Sequence, residues 1–295
     1  MRNLDGISTD GGAIPQSTMT LNELLTEYLL AREASPRYVE SLQRTVRRLA
    51  SCSVVYVHEL NPQMVNNWLN GWAGLSPTTR SNMRRELLTL WRYAHECGYT
   101  DEQPIRVRKI RAVRKSPEAW SNLAMQTLLL DAEQDKTPVS NRLKGVLVCH
   151  VLPCWIMVGY ESGLRLTDML ALKEENFRNS TITCVANKTG KVTVRPISST
   201  ALEMCERLFA MSPDGSLFSW ALPRKRALRI WRTFTSKHGH RGSSKWLRRS
   251  GATALESEHP GAATKWLDHS NPALCRLHYI DPTLLSPVIS PRPLR

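Results

Sequence analysis

Basic side chains, a histidine and a tyrosine recur in four short segments between residues 161 and 279. The candidates are, in chain order, Arg165, Lys188, Lys245, Arg248, His269 and Tyr279. Cutting and rejoining a phosphodiester without a metal needs a nucleophile, cations for the two non-bridging oxygens and an acid for the leaving 5′-oxygen. Arginine suits the oxygens because its planar fork gives two hydrogen bonds and keeps its charge. Tyrosine suits the nucleophile because a phosphotyrosine ester stores the bond energy for resealing, although a phenol with a pKa of about 10 needs nearby cations.

Two predicted helices carry three of these side chains. Arg165 follows a glycine and a leucine at the start of an amphipathic helix, where its side chain can point into a site. Lys245 and Arg248 lie three residues apart on a second helix and therefore on one face of it. We expect these helices to bring the basic groups to one place.

A β-hairpin is predicted to carry the remaining lysine. Residues 181–186 and 192–197 alternate in the manner of strands, and the KTGK turn joins them. Lys188 begins this turn and can reach into a groove from its tip, and Lys191 is the alternative at its other end.

The four segments, in this order, resemble the motifs of the tyrosine recombinases, or phage-type integrases. The segment ESGLRLTD is similar to a TGLR pattern that is followed by an acidic residue, and NKTGKVTVRPI is similar to KTGK…VPL. The segment KWLRRSGATAL resembles H.LRH..AT.L, and LDHS with a tyrosine about ten residues later resembles LGHS and its tyrosine. The resemblance covers the second half of the chain, and the first half looks more loosely like the family's core-binding domain.

The resemblance implies a role for each matching residue. Tyr279 would attack the scissile phosphate and form a 3′-phosphotyrosyl link, while Arg165 and Arg248 hold the phosphate oxygens. Lys188 would protonate the departing 5′-hydroxyl, and His269 would donate a further hydrogen bond to the phosphate. The reaction would need no metal, ATP or other cofactor.

This sequence departs from the family's motifs at a few positions. Lys245 stands where the family usually has histidine, and a lysine of ordinary pKa is a hydrogen-bond donor and a poor base near neutrality. Whether Lys245 accepts the proton of Tyr279 or only contacts the phosphate therefore stays open. Asp168 matches an acidic residue thought to orient the site, and an ordinary carboxylate at a helix N-terminus is an equal alternative. The other departures are Ser162 for threonine, Arg249 for histidine and Asp268 for glycine.

The bulk composition favours a polyanionic partner. The 295 residues carry a net charge of +14, which indicates nucleic acid, with a basic but indifferent surface as the alternative. The seven cysteines contain no CxxC pair and fit reduced thiols in a cytoplasmic, nucleoid-associated protein of bacterial, phage or mobile-element origin. We expect no membrane contact, because the apolar stretch from residue 145 to 159 is shorter than a span and suits a buried helix. His238 and His240 are too few ligands for a metal site.

The predicted fold is mainly α with a small β-hairpin or sheet, an α+β catalytic domain preceded by a helical one. We predict a disordered N-terminus at 1–18, a helical core-binding domain at 19–104 and a basic linker at 105–116 that ends in a helix start at Ser116-Pro117. The catalytic domain would span 117–285, and a tail 286–295.

Basic residues outside the motifs are predicted to contact the DNA backbone or a groove, with a solvated face as the alternative. They are Arg44, Arg80, Arg84, Arg108, Lys109, Arg111, Arg224, Arg226, Arg229 and Arg241.

The function that these features favour is a site-specific recombinase or integrase, with two domains closing as a clamp on double-stranded DNA. From the resemblance we expect a homo-tetramer on DNA that exchanges strands through Holliday junctions, a monomer or weak oligomer when free, and no small-molecule substrate. A type IB topoisomerase-like relaxing enzyme is one alternative. A DNA-binding protein of the same fold that has lost cleavage is the other.

Overall fold

The computed structural model describes residues 18–52, 56–112 and 115–285, and in these ranges the chain is mainly helical with one small antiparallel sheet. The predicted fold class is confirmed. The chain divides into two compact units, residues 1–114 and 115–295. The tail 286–295 and all but one residue of the N-terminal segment 1–18 lie outside the described residues.

Four α-helices and one short 3-10 helix form the described part of the first unit. The α-helices are α1 (Leu21–Ala31), α2 (Pro36–Ala50), α3 (Pro62–Gly71) and α4 (Pro77–Glu96). Each begins after a side-chain cap, from Thr20, Ser35, Asn61 and Ser76 respectively, and the last three have proline in the first turn. Leucine, valine and tryptophan side chains from all four helices pack into one buried cluster.

Part of the predicted basic linker lies against the first unit. Val107 is buried in that unit's core, and its carbonyl accepts a hydrogen bond of 2.9 Å from Nη2 of Arg84. The backbone N–H of Arg108 donates to the Asn66 side chain over 2.8 Å. These bonds fix the path of residues 107–108 on the surface of the first unit.

The described part of the second unit contains eight α-helices, two short 3-10 helices and three strands. The α-helices are α5 (Asn122–Gln134), α6 (Val148–Ser162), α7 (Leu166–Leu170), α8 (Ser199–Ala210), α9 (Arg224–Lys237), α10 (Lys245–Glu258), α11 (Ala262–Trp266) and α12 (Pro272–Tyr279). The apolar stretch predicted as a buried helix is α6, which forms the centre of the core with Trp155 against Phe218. Among the described residues, no helix combines the length and apolar character needed to cross a membrane.

The helix start predicted at Ser116-Pro117 is wrong. The helix α5 begins five residues later, at Asn122, after a cap from the Ser121 side chain. The preceding residues stay outside the helix because Trp120 is held by tertiary contacts: its backbone N–H donates to the Ser250 hydroxyl over 2.8 Å, and its ring lies 5.1 Å from that of Trp246.

The sheet has the order β1-β2-β3, with β1 (Phe177–Arg178), β2 (Thr181–Val185) and β3 (Val192–Pro196) all antiparallel. The predicted hairpin is confirmed as β2 and β3, whose last pair is Val185 with Val192. The turn closes with the N–H of Ala186 on the carbonyl of Lys191 at 2.8 Å. Lys188 therefore lies at the exposed tip of a short, hydrogen-bonded hairpin.

Candidate active site

Arg165 is positioned by a helix end and a helix start. The helix α6 ends in Gly163, whose backbone is left-handed at φ 58°, and a Cβ at this position would collide with the Trp266 ring. Arg165 then has extended backbone as the cap residue that precedes α7. Its Nη1 lies 3.8 Å from the carboxylate of Asp168, and 27% of the Arg165 side chain is exposed.

Asp168 connects Arg165 with the hairpin. Its carboxylate is buried, and Oδ1 accepts hydrogen bonds from the backbone N–H and the side-chain amide of Asn187, over 3.0 and 3.1 Å. Asn187 immediately precedes Lys188, so one carboxylate orients both the arginine and the base of the lysine's turn. This geometry gives Asp168 more than the role of an ordinary charge at a helix N-terminus.

Arg248 is the buried cation of the site. It lies on α10, donates through Nη1 to the carbonyl of Gly163, and donates through Nη2 to the carbonyl of Leu267 at 3.2 Å. Its Nε is also buried and has no hydrogen-bond partner among the described residues. Burial, opposed by Tyr279 and reinforced by Arg165, lowers the pKa of Arg248 from 12.5 to about 10, so the guanidinium stays charged at neutral pH.

The Tyr279 ring contacts both the guanidinium of Arg248 and the ring of His269. The Tyr279 ring centre lies 5.0 Å from the guanidinium carbon of Arg248 and 4.8 Å from the His269 ring centre, in an edge-on arrangement. Nε2 of His269 is buried and has no hydrogen-bond partner in the described ranges. Burial and the charges of Arg248, Arg165 and Lys188 lower the pKa of His269. The lysine of the hairpin is therefore close enough for its charge to act on this ring.

The chain on both sides of Tyr279 is fixed to the second unit. Asn271 caps the first turn of α12, and Tyr279 is the last residue of that helix. The backbone N–H of Asp281 donates to the hydroxyl of Thr253 on α10 over 3.0 Å, and the Asp281 carboxylate accepts from the N–H of Ala119 over 2.9 Å. The tyrosine is thus anchored to the unit that carries Arg165 and Arg248.

Lys245, like Lys188, makes no hydrogen bond, ion pair or ring contact with the other predicted catalytic residues in the part of the chain that the structure describes. It lies in the first turn of α10, three residues before Arg248, and is exposed. Across the described ranges its side chain has no hydrogen-bond or ion-pair partner.

Sequence reasoning missed a second buried arginine near the site. Arg195 lies on β3, is 7% exposed, and forms an ion pair with Asp268, the residue before His269. The signal was available in two places, because Asp268 stands where the family's motif has glycine, and Arg195 stands where KTGK…VPL has valine.

The predicted DNA-contacting residues differ in exposure. Arg80, Arg84 and Arg226 are half-buried, and the last two donate to carbonyls of their own unit, Val107 and Ala221. The exposed ones are Arg44, Arg108, Lys109, Arg111, Arg224, Arg229 and Arg241. The structure therefore leaves these seven side chains accessible to a partner.

The two histidines considered as metal ligands pair with carboxylates instead. Nε2 of His240 lies 2.7 Å from Asp131, and Nε2 of His238 lies 3.2 Å from Asp135. Within the described ranges, no group of three or more His, Cys, Asp or Glu side chains is arranged to hold a metal ion.

Solved structures of DNA-bound integrases share this fold. A lambda integrase dimer bound to a COC′ core site is 16% identical, with a TM-score of 0.72, over 92% of this chain and 99% of that chain. The Tn1549 transposon integrase in complex with a circular intermediate DNA is 15% identical, with a TM-score of 0.69, over 87% and 94%. A lambda integrase tetramer bound to a Holliday junction is 15% identical, with a TM-score of 0.67, over 86% of this chain and 78% of that chain.

Both of these integrases are tyrosine recombinases, so the resemblance seen in the motifs is confirmed at the level of the fold. No sequence model of a protein family matches the chain, and no curated protein sequence matches it.

Proposed function

We propose that this chain is a site-specific DNA recombinase that cuts and rejoins DNA through a 3′-phosphotyrosyl intermediate. The observation that carries this proposal is the convergence of Arg248 and His269 on Tyr279, each with a buried nitrogen that has no partner among the described residues. A buried polar group without a partner costs about 1–3 kcal/mol, which a phosphate oxygen in hydrogen-bond reach would recover. The contacts of Tyr279 with both side chains support its proposed role as the nucleophile.

The charges around Tyr279 suit a phosphate and its developing negative charge. Arg165 and Arg248 supply two guanidinium groups from distant parts of the sequence, and the second is buried, where its field is less screened by water. His269, with a lowered pKa, is neutral near pH 7 and can still donate one hydrogen bond.

In the proposed reaction, the oxygen of Tyr279 attacks the phosphorus and the bond from phosphorus to the 5′-oxygen breaks. Lys188 gives its proton to the departing 5′-oxygen, while Arg165 and Arg248 hold the non-bridging oxygens. The reverse attack by a 5′-hydroxyl on the phosphotyrosine reseals the strand. The proton of the Tyr279 phenol passes to solvent water, a loss that the nearby cations favour, and Lys245 acts on the phosphate as a further donor.

The DNA partner and assembly are also proposals. The net charge of +14 and the exposed arginines support binding to double-stranded DNA. By analogy with the lambda integrase tetramer on a Holliday junction, we propose a homo-tetramer that exchanges strands between two sites. The setting would be the cytoplasm of a bacterium that carries a phage or another mobile element.

Covalent trapping on nicked suicide substrates tests the proposal. A library of nicked duplexes is incubated with the full chain, the denatured protein is recovered, and any attached DNA is sequenced. We expect an adduct that Tyr279→Phe abolishes and that Tyr56→Phe, an exposed tyrosine of the first unit, leaves unchanged. An adduct of equal yield with Tyr279→Phe would exclude this nucleophile.

The recovered sequence then separates the enzymes that share this chemistry. Placed twice in one plasmid, it should recombine in the presence of the protein. Relaxation of supercoils without recombination would favour the topoisomerase-like alternative, and specific binding without any adduct would favour a DNA-binding protein.

A further inference from the structure

We propose that Arg195 and Asp268 form a positioning pair that holds the Lys188 hairpin in register with the His269 turn. This inference rests on the proposed function, because it assigns the pair to the step in which Lys188 protonates the leaving oxygen. Neither residue touches the phosphate in this proposal, so both are positioning residues.

The pair joins the hairpin to the turn through one carboxylate oxygen. Nη2 of Arg195 contacts Oδ2 of Asp268, and the hydroxyl of Thr193 donates to the same oxygen over 3.1 Å. Thr193 and Arg195 are the two buried residues of β3, on the face opposite the exposed Val192 and Val194. The inner face of the strand therefore holds the residue that precedes His269.

The conformation of Asp268 indicates that its side chain matters. Its backbone is left-handed, at φ 55°, a region that disfavours residues with a Cβ and is easy for glycine. The family's motif has glycine here, so the aspartate carries a conformational cost that glycine would not. The bonds to Arg195 and Thr193 offset that cost.

The two departures from the motifs depend on each other. The side chain of Arg195 is 8% exposed, and a charge this buried needs a partner of opposite sign. That partner is the aspartate that replaces the motif's glycine, while Arg195 replaces the motif's valine. Because the two changed residues meet in one ion pair, we propose that they act together.

The ion pair of Arg195 and Asp268 is the second of two anchors that hold the hairpin. On one side of the turn Asn187 is bonded to Asp168, and on the other side β3 is bonded to Asp268. The latter contact sets the distance from Lys188 to the phosphate donor His269. Loss of the pair would therefore impair protonation of the leaving group, while Arg165 keeps its contact with Asp168, Arg248 keeps its bond to Gly163, and Tyr279 keeps the anchors made by Asp281.

A sulfur-substituted substrate isolates that step. In a 5′-bridging phosphorothiolate the bond from phosphorus to sulfur breaks, the electron pair stays on sulfur, and the thiolate leaves without a proton because a thiol is far more acidic than an alcohol. Cleavage of this substrate therefore does not need Lys188. Single-turnover adduct formation is measured on the trapped sequence with oxygen and with sulfur at the bridging position.

We expect Arg195→Val and Asp268→Gly each to slow cleavage of the oxygen substrate by about tenfold or more, a part of the full effect of a general acid. Cleavage of the sulfur substrate should change by less than about twofold, because no proton is transferred to the leaving group. The double variant, which restores the motif's valine and glycine, should be faster than either single variant, and Arg195→Lys should recover part of the rate. Arg207→Val, which removes the exposed ion pair to Glu203, is the matched control and should behave as wild type on both substrates.

Equal losses on both substrates, together with a lowered melting temperature, would reduce the pair to a structural contact and overturn the inference. Wild-type rates on both substrates in the single variants would overturn it as well. A wild-type chain that forms no adduct with either substrate would instead refute the proposed function, and the inference with it.

Discussion

The carboxylate of Asp168 receives two hydrogen bonds from Asn187, one from the backbone at 3.0 Å and one from the side-chain amide at 3.1 Å. The residues are nineteen positions apart in the chain. The bonds tie the helix start that carries Arg165 to the turn that carries Lys188. In the proposed reaction, this contact keeps the phosphate-holding cation and the general acid at a fixed separation.

Replacing Asp168 with alanine should affect both stability and rate. We expect the free energy of unfolding to fall by about 1–3 kcal/mol, because the N–H of Asn187 loses its acceptor in a partly buried place. Adduct formation should slow by about a hundredfold, since small displacements of catalytic groups have effects of this size. Urea unfolding and single-turnover trapping measure the two. Asp214→Ala, which removes a similar turn contact to Ser216, is the control for the rate.

The lowered pKa of His269 predicts a pH dependence of stability. The unfolded chain takes up a proton near pH 6.5, whereas the folded chain does so only at lower pH. The contribution of this ring to stability is therefore complete above about pH 6.5 and is lost as the pH falls towards the folded pKa. Unfolding free energies at pH 7.5 and pH 5 should differ less in His269→Gln than in wild type. His259→Gln, at an exposed histidine, should keep the wild-type difference.

Gly163 should tolerate no side chain. Both Gly163 and Gly215 have left-handed backbone, at φ 58° and 71°, but only Gly163 has an aromatic ring where a Cβ would lie. Gly215→Ala should lower the free energy of unfolding by only about 1–2 kcal/mol, the cost of a left-handed backbone for a residue with a Cβ. Gly163→Ala should cost clearly more and should also slow adduct formation, because Gly163 accepts a hydrogen bond from Arg248 and precedes Arg165 by two residues. Equal melting temperatures of the two variants would contradict the close approach of Trp266.

The role of Lys245 can be decided by substitution. A phosphate donor requires a positive charge, and a proton acceptor requires a neutral amine. Because we propose a donor, Lys245→Arg should keep most of the adduct rate, while Lys245→Ala should be slower by about tenfold or more, as expected when one donor to a transition state is removed. An arginine variant as slow as the alanine variant would argue for proton transfer through the lysine.

The exposed basic residues that follow the first unit's helices should contribute to DNA affinity by the same amount whatever the DNA sequence. Replacing Arg108, Lys109 and Arg111 with glutamine should weaken binding to all DNA sequences to a similar extent. The slope of the logarithm of the binding constant against the logarithm of the salt concentration should become shallower, by up to about 0.9 for each phosphate that is no longer neutralised. Binding is measured by fluorescence anisotropy over a range of salt concentrations. An unchanged slope would show that these residues do not contact phosphate, and Arg207→Gln serves as the control.

The sequence predicted those features that depend on local chemistry. The hairpin followed from alternation and a KTGK turn, and the helix starts of the first unit followed from capping residues beside proline. The start of α5 could not be predicted, because Trp120 is held out of the helix by Ser250, 130 positions further along the chain. The strand β1 has two residues, too few for a periodic pattern.

The candidate site shows the same division. Motif order identified Arg165, Arg248 and Tyr279, which the fold brings together through helix ends and buried anchors. The pairing of Arg195 with Asp268 could not be read from either residue alone, because each looks like an isolated departure until the strand and the turn are seen side by side. Such compensating changes are visible only in three dimensions.

The hydrogen bonds of Asp281 with Ala119 and Thr253 bear on which subunit of an assembly would supply the residues that cut each DNA strand. Two residues after Tyr279, the proposed nucleophile, the chain is bonded to the beginning and the middle of its own unit. Each subunit of the proposed tetramer would therefore cut the strand it binds with catalytic residues that all come from its own chain. Neighbouring subunits would then govern when a strand is cut, and the chemistry of the cut would stay within a single chain.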